Sequence, residues 1–245
     1  MNITLWRSVG IAFTFLTPFR VRTLAQAGLY DVARSAWAFP LVGAAIGLGL
    51  VLAHLVLAGL LPPFLAAVLV VGLWVAFTGG LHLDGWADCW DALPAAVPPE
   101  RRLEILKDSR IGTYGVVGLV LLLAVKAAAI ASRDLPLTAL FLAPIVGRAA
   151  MVICAHGAFH RGEGMAAQFI SGLDKRTVTW AAVLGLCPAL IAGLTGIVAV
   201  VAACLGGFWF IRFAESKLNA INGDVIGAVC ELSEALVLVV ACVTW

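Results

Sequence analysis

Charge is scarce in this chain. Only 12% of its 245 residues are Asp, Glu, Lys or Arg, and 62% are hydrophobic. A soluble domain carries roughly a quarter of its residues as charges, so a water-soluble globule is excluded. A mean hydropathy of +1.05 and long uncharged runs place the chain among multi-span membrane proteins. The net charge of +2 is too small to favour nucleic acid, and no nucleic-acid partner is expected. Cysteine pairing signals are missing too. The six cysteines are scattered with no CxxC pair, so they read as small buried hydrophobes rather than disulfides or a zinc site. No soluble insert, tandem repeat or low-complexity tail interrupts the pattern, and residues 1–245 read as one polytopic membrane domain.

The greasy segments set the expected fold: an all-α integral membrane protein of about seven transmembrane helices. A span needs about 20 apolar residues. Residues 39–61, 64–81, 113–132, 137–156 and 224–243 qualify. The run 178–214 is too long for one helix and is expected to fold as two, joined at Leu194-Thr195-Gly196. Ahead of the first span, Trp6, Phe13, Phe15 and Phe19 suggest an interfacial helix, and Pro18, Arg20 and Arg22 break the order of a cleavable signal. Basic residues crowd the N-terminal segment and the loops at 84–112, 157–176 and 216–223, while the opposite turns hold only Arg133. By the positive-inside rule those loops face the cytoplasm and Trp245 lies outside. The polar chemistry is then all on the cytoplasmic side.

The few charges are concentrated. Asp84, Asp88 and Asp91 are spaced i, i+4, i+7 in HLDGWADCWDAL, which puts them at about 0°, 40° and −20° on a cytoplasmic-side helix, on one face. Trp86, Ala87, Cys89, Trp90 and Leu93 cover the other faces. Clustered acids repel unless a cation or proton separates them, and hard oxygen ligands suit Mg²⁺, which in turn suggests phosphates. Gly85 is expected to leave backbone room for a phosphate beside Asp84, with His82 just ahead. Asp108 in LKDSRIG is expected to join the same metal site, with Lys107, Ser109 and Arg110 on phosphate oxygens and Gly112 and Gly115 allowing close approach. A second stripe, Asp224, Gly227, Glu231 and Glu234, follows Asn222-Gly223. Asp224 is expected either as an N-cap or in the acid site. Glu231 lies deeper, with Lys126 or Arg148 as its partner inside the bundle. His156, His160, Arg161 and Glu163 border the second loop and could equally close over a substrate or form a plain loop.

HLDGWADCWDAL, RRLEILKDSRIGTYG and NGDVIGAVCEL together resemble the cobalamin synthase family, also called adenosylcobinamide-GDP ribazoletransferases. FLTPF, FPLVGAAIG, GRAAMV and HRGEGMAAQF extend the likeness along the chain. The short DGxADxxD alone is also similar to CDP-alcohol phosphotransferases. The resemblance implies a Mg²⁺-dependent enzyme of the bacterial cytoplasmic (inner) membrane. It would join adenosylcobinamide-GDP to α-ribazole or its 5′-phosphate, giving adenosylcobalamin or its phosphate and GMP. With it, catalytic roles are expected for Asp84, Asp88, Asp91, Asp108 and Asp224, metal binding for the first four of these, and substrate binding for His82, Gly85, Lys107, Ser109, Arg110, Arg148, Asn222, Gly223 and Glu231. Trp86, the Pro-rich link at 94–100, Asn219-Ala220 and Val225 depart from the family's usual residues. The rival class is a transporter or ion channel, suggested by the intramembrane charges. A homo-oligomer is compatible with the pattern.

Overall fold

The computed structural model describes residues 4–20, 27–159 and 164–243. His160, Arg161 and Glu163, and the outward placement of Trp245, lie outside the described residues. Twelve helices follow one another, with no strand among the described residues: α1 (Leu5–Leu16), α2 (Leu29–Ser35), α3 (Phe39–Ala58), α4 (Pro63–Thr78), α5 (Leu81–Ala92), α6 (Pro99–Ile105), α7 (Thr113–Ala131), α8 (Leu137–Ala155), α9 (Gly164–Gly172), α10 (Lys175–Leu186), α11 (Gly193–Leu218) and α12 (Gly223–Ala241).

Four stretches are long and apolar enough to cross a membrane: Leu29–Ala58, Thr113–Ala131, Leu137–Ala155 and Lys175–Leu218. That is four among the described residues against about seven expected, because α10 and α11 fall in one stretch, α12 carries the acids Asp224, Glu231 and Glu234, and α4 passes only as a bent pair with α5. The stretch Lys175–Leu218 is two helices, as expected, but the joint differs. A 3-10 turn over Cys187–Ala192 and a left-handed Gly193 (φ 62°) separate α10 from α11, and Leu194-Thr195-Gly196 continues as helix. Pro188 opens that turn because its ring fits a first-turn position but removes an N–H from a helix interior. The span expected over 64–81 is also cut short. Gly79 and Gly80 both adopt positive φ (64° and 71°), a conformation that costs glycine least. The chain therefore bends by 99° from α4 into α5. That bend takes the acidic helix out of the line of α4 and packs it against α12 and α7.

At the centre lies α8, most of it buried. Small residues let its neighbours approach closely, as in membrane bundles generally. A Cβ on Gly43 or Gly47 of α3 would strike the backbone of Pro144 or Phe141, and one on Gly185 of α10 would strike Ala149. At the N-terminus α1 packs as a short apolar helix, with Ile11, Ala12 and Leu16 buried and Trp6 84% exposed. This is the amphipathic layout expected of an interfacial helix.

Candidate active site

The acid cavity forms where α5 crosses the start of α12. Gly85 sits against the backbone of Asp224, so tightly that a Cβ there would collide with its carbonyl oxygen and Cα. The room expected beside Asp84 for a phosphate is therefore occupied by α12, and Gly85 serves helix approach instead. His82 packs one turn further along, against Gly227. This crossing brings Asp224 to the acid stripe. Asn222, not Asp224, caps α12: its Oδ1 accepts the Val225 amide at 3.2 Å, and its Nδ2 donates to Asp224 Oδ2 at 2.6 Å. The N-cap reading of Asp224 is thus corrected, and Asn222 aims the Asp224 carboxylate. Gly223 is open, with nothing near the position of a Cβ.

The result is a cavity of about 790 Å³. Asp84, Asp88, Lys107, Asp108, Ser109 and Asp224 line it, with Val75, Ile111, Leu119 and Leu123 as apolar wall. Four of the five expected acids converge here. Asp91 does not. Both its oxygens are taken by the start of α7, accepting the Gly112 amide at 2.7 Å and the Gly115 amide at 2.8 Å. Unsatisfied N–H groups at a helix start favour an acceptor and a negative charge. The close approach expected of Gly112 and Gly115 is therefore to this carboxylate: a Cβ on either would meet it. Trp86 and Trp90 complete the α5–α7 contact; Trp86 Nε1 donates to the Gly118 carbonyl at 3.0 Å, and Trp90 fills the space beside Gly118. Arg110 does not line the cavity. It folds back on Asp108, donating through Nε at 3.0 Å and Nη2 at 2.7 Å, and this pairing holds the Asp108 carboxyl down at about 2.

Electrostatics mark Asp88 as the centre of the cluster. Burial, then the charges of Asp224, Asp84 and Asp91, push its carboxyl up to about 7. As they stand, the carboxylates keep apart: among the described residues no three His, Cys, Asp or Glu side chains are gathered closely enough to hold a metal ion. The donor set itself is all hard oxygen around a strained acid, which fits a divalent cation of the Mg²⁺ type.

The remaining expected residues lie elsewhere. Lys126 of α7 is buried and donates to Glu231 at 2.6 Å and to Glu234, while Arg148 of α8 pairs with Glu234. Lys126 also stands 4.3 Å from the centre of the Trp74 ring. Glu231 thus has the partner expected for it, and Arg148 takes the next acid. His82 is buried beside this group with both ring nitrogens unpaired. His82, Arg148 and Glu231 are absent from the wall of the acid cavity. They build the interior of the bundle behind it. The apolar wall and the double-glycine bend escaped the sequence reading, although Gly79-Gly80 was itself a bend signal.

The model of the family described as cobalamin-5-phosphate synthase matches residues 8–242. The chain belongs to that family. Three curated relatives named adenosylcobinamide-GDP ribazoletransferase match most of the chain's length. It is 41% identical over 240 residues to an adenosylcobinamide-GDP ribazoletransferase of Geotalea daltonii, covering 93% of this chain and 94% of the relative. It is 36% identical to one of Syntrophobacter fumaroxidans, covering 96% and 97%, and 36% identical to one of Brevibacillus brevis, covering 84% and 86%. No solved structure matches.

Proposed function

We propose that the chain is an adenosylcobinamide-GDP ribazoletransferase, acting at the assembly of the nucleotide loop of cobalamin. The observation that carries this is the single cavity joining Asp84, Asp88, Asp108, Asp224 and Lys107 in a chain matched by its family over residues 8–242. In this reading a hydroxyl of α-ribazole, or of its 5′-phosphate, attacks the phosphorus on the cobinamide side of the diphosphate. The new O–P bond forms, the P–O bond to GMP breaks, and the hydroxyl proton passes to a cavity carboxylate.

Asp84, Asp88 and Asp224, joined by Asp108, would hold Mg²⁺. When bound, it supplies charge neutralisation for the diphosphate and the leaving oxygens. Lys107, at the cavity wall, places a cation on a phosphate oxygen as a point charge. Arg110 reaches the phosphates only by leaving Asp108, which frees that carboxylate in the same movement. The apolar wall of Val75, Ile111, Leu119 and Leu123 would reduce the water around one side of the diphosphate and so strengthen charge interactions there. The site faces the cytoplasm of a bacterial inner membrane, as the distribution of basic loops supports.

The test is product analysis of the purified protein with adenosylcobinamide-GDP, α-ribazole 5′-phosphate and Mg²⁺. Stoichiometric GMP and adenosylcobalamin phosphate are expected. CMP release from a CDP-alcohol without GMP formation, or solute flux in liposomes without either, would overturn the reading.

A further inference from the structure

A second cavity, of about 570 Å³, shares no lining residue with the acid cavity. It lies among α1, the turn from α2 into α3 and the start of α10. Two guanidinium groups, Arg34 and Arg176, line it together with the indoles of Trp37 and Trp180 and the aliphatic side chain of Leu5. Its volume falls within the range of small-molecule sites.

The two arginines lie near Asp174, whose carboxyl their charges help to hold down after its hydrogen bonds to Thr177, but they are not tied to it. Among the described residues neither forms an ion pair, whereas Arg101, Arg110, Arg148 and Arg212 each have a carboxylate partner. Arg34 also stands 5.6 Å from the centre of the Tyr30 ring. The acid in the wall, Asp174, is committed to α10: it accepts the Thr177 amide at 2.7 Å as the N-cap. Around the cavity Trp6, Tyr30 and Trp180 are all exposed. Amphipathic rings gather at the headgroup level of a bilayer, and α1 is a short apolar helix of the interfacial kind.

We infer that this cavity binds the headgroup of an anionic phospholipid. The phosphate would sit on Arg34 and Arg176, and the glycerol and upper acyl chain would run along Leu5 and Trp180. Guanidinium groups hold phosphate oxygens in a fixed fork. Free phosphate would use the arginines but leave the indoles and Leu5 without a partner. A neutral amphiphile would do the reverse. The occupant that satisfies both halves of the wall is a lipid phosphate, and it would fasten α1 and α10 to the membrane surface.

The test uses the full-length protein in a neutral detergent. Binding of dioctanoyl phosphatidylglycerol, dioctanoyl phosphatidylcholine and inorganic phosphate is read by tryptophan fluorescence, with retained lipid counted by native mass spectrometry. Phosphatidylglycerol is expected to bind more tightly than the other two. The double variant Arg34→Gln/Arg176→Gln is expected to weaken it by at least about tenfold. Arg34→Lys/Arg176→Lys is expected to retain part of the binding, which controls for folding, as does an unchanged thermal midpoint. Equal binding of the two lipids, phosphate binding as tight as the lipid's, or no loss in the Gln variant would each overturn the assignment.

Discussion

Asp91 holds the first turn of α7 through Gly115, whose amide donates to its carboxylate at 2.8 Å. Gly112 donates to the other oxygen. This sets Asp91 apart from its neighbours on the stripe. Asp91→Asn keeps one acceptor and loses the charge, so it should slow turnover by about tenfold. Asp84→Asn and Asp88→Asn, which strip the cavity itself, should cost 100-fold or more, on the order of 3 kcal/mol of transition-state stabilisation. Asp91→Ala should also lower stability by about 1–3 kcal/mol, as buried N–H groups are left unpaired. Steady-state kinetics and thermal midpoints on the four variants check this ranking.

Metal binding should depend on pH through Asp88. Its carboxyl sits at about 7 in the folded protein because of burial and the neighbouring acids. An acid with a raised folded pKa favours the folded state at low pH, and that advantage is lost as pH rises from about 4 through 7. A cation must displace the proton below 7 and needs no displacement above it. Added Mg²⁺ is therefore expected to raise the thermal midpoint more at pH 8 than at pH 6, and the difference should vanish in Asp88→Asn. Calorimetry or a dye-based melt in detergent gives the comparison.

Gly85 offers a single-methyl test of the crossing between α5 and α12. An added Cβ collides with the backbone of Asp224, so the helices must part or slide. Displacements of about 1 Å cost up to 100-fold in catalysis. Gly85→Ala is expected to lose more than tenfold in kcat while leaving the protein folded, because the open Gly223 side of the crossing can give way. Near-normal turnover would show that the approach of Asp224 to the stripe is not needed.

Glu234 is paired with both Lys126 and Arg148 and is fully buried. Glu234→Gln leaves two buried cations facing Glu231 alone. Removing one partner from a buried ion pair costs about 3–5 kcal/mol. The variant is expected to melt well below the parent in detergent or to fail to accumulate, whereas Asp84→Asn should accumulate normally.

Much of this was legible in the chain. The acidic spacing of 84, 88 and 91 implied one helix face, and α5 is that helix. The depth of Glu231 along its helix implied an intramembrane partner, and Lys126 supplies it. Less visible was anything decided by contact between distant segments. A glycine's partner is a property of packing, so Gly85 could be read as room for a ligand when it is room for α12. Asp91 shares its periodicity with Asp84 and Asp88, yet the helix start that claims it lies 21 residues downstream at Gly112. Leu194-Thr195-Gly196 reads as the break in the run 178–214 because a glycine there interrupts the helical pattern. Pro188 and Gly193 set it a few residues earlier through backbone geometry.

The cluster behind the acid cavity also bears on how the protein is made. Lys126 precedes its partners Glu231 and Glu234 by 105 and 108 residues. A charge alone in lipid is costly, and α7 and α8 leave the ribosome carrying one cation each with no anion yet synthesised to meet them. Their settled position in the bilayer waits for α12. A chain stopped before α12 would leave both cations without these partners, so the helix that delivers Asp224 to the cavity also supplies the anions that settle α7 and α8.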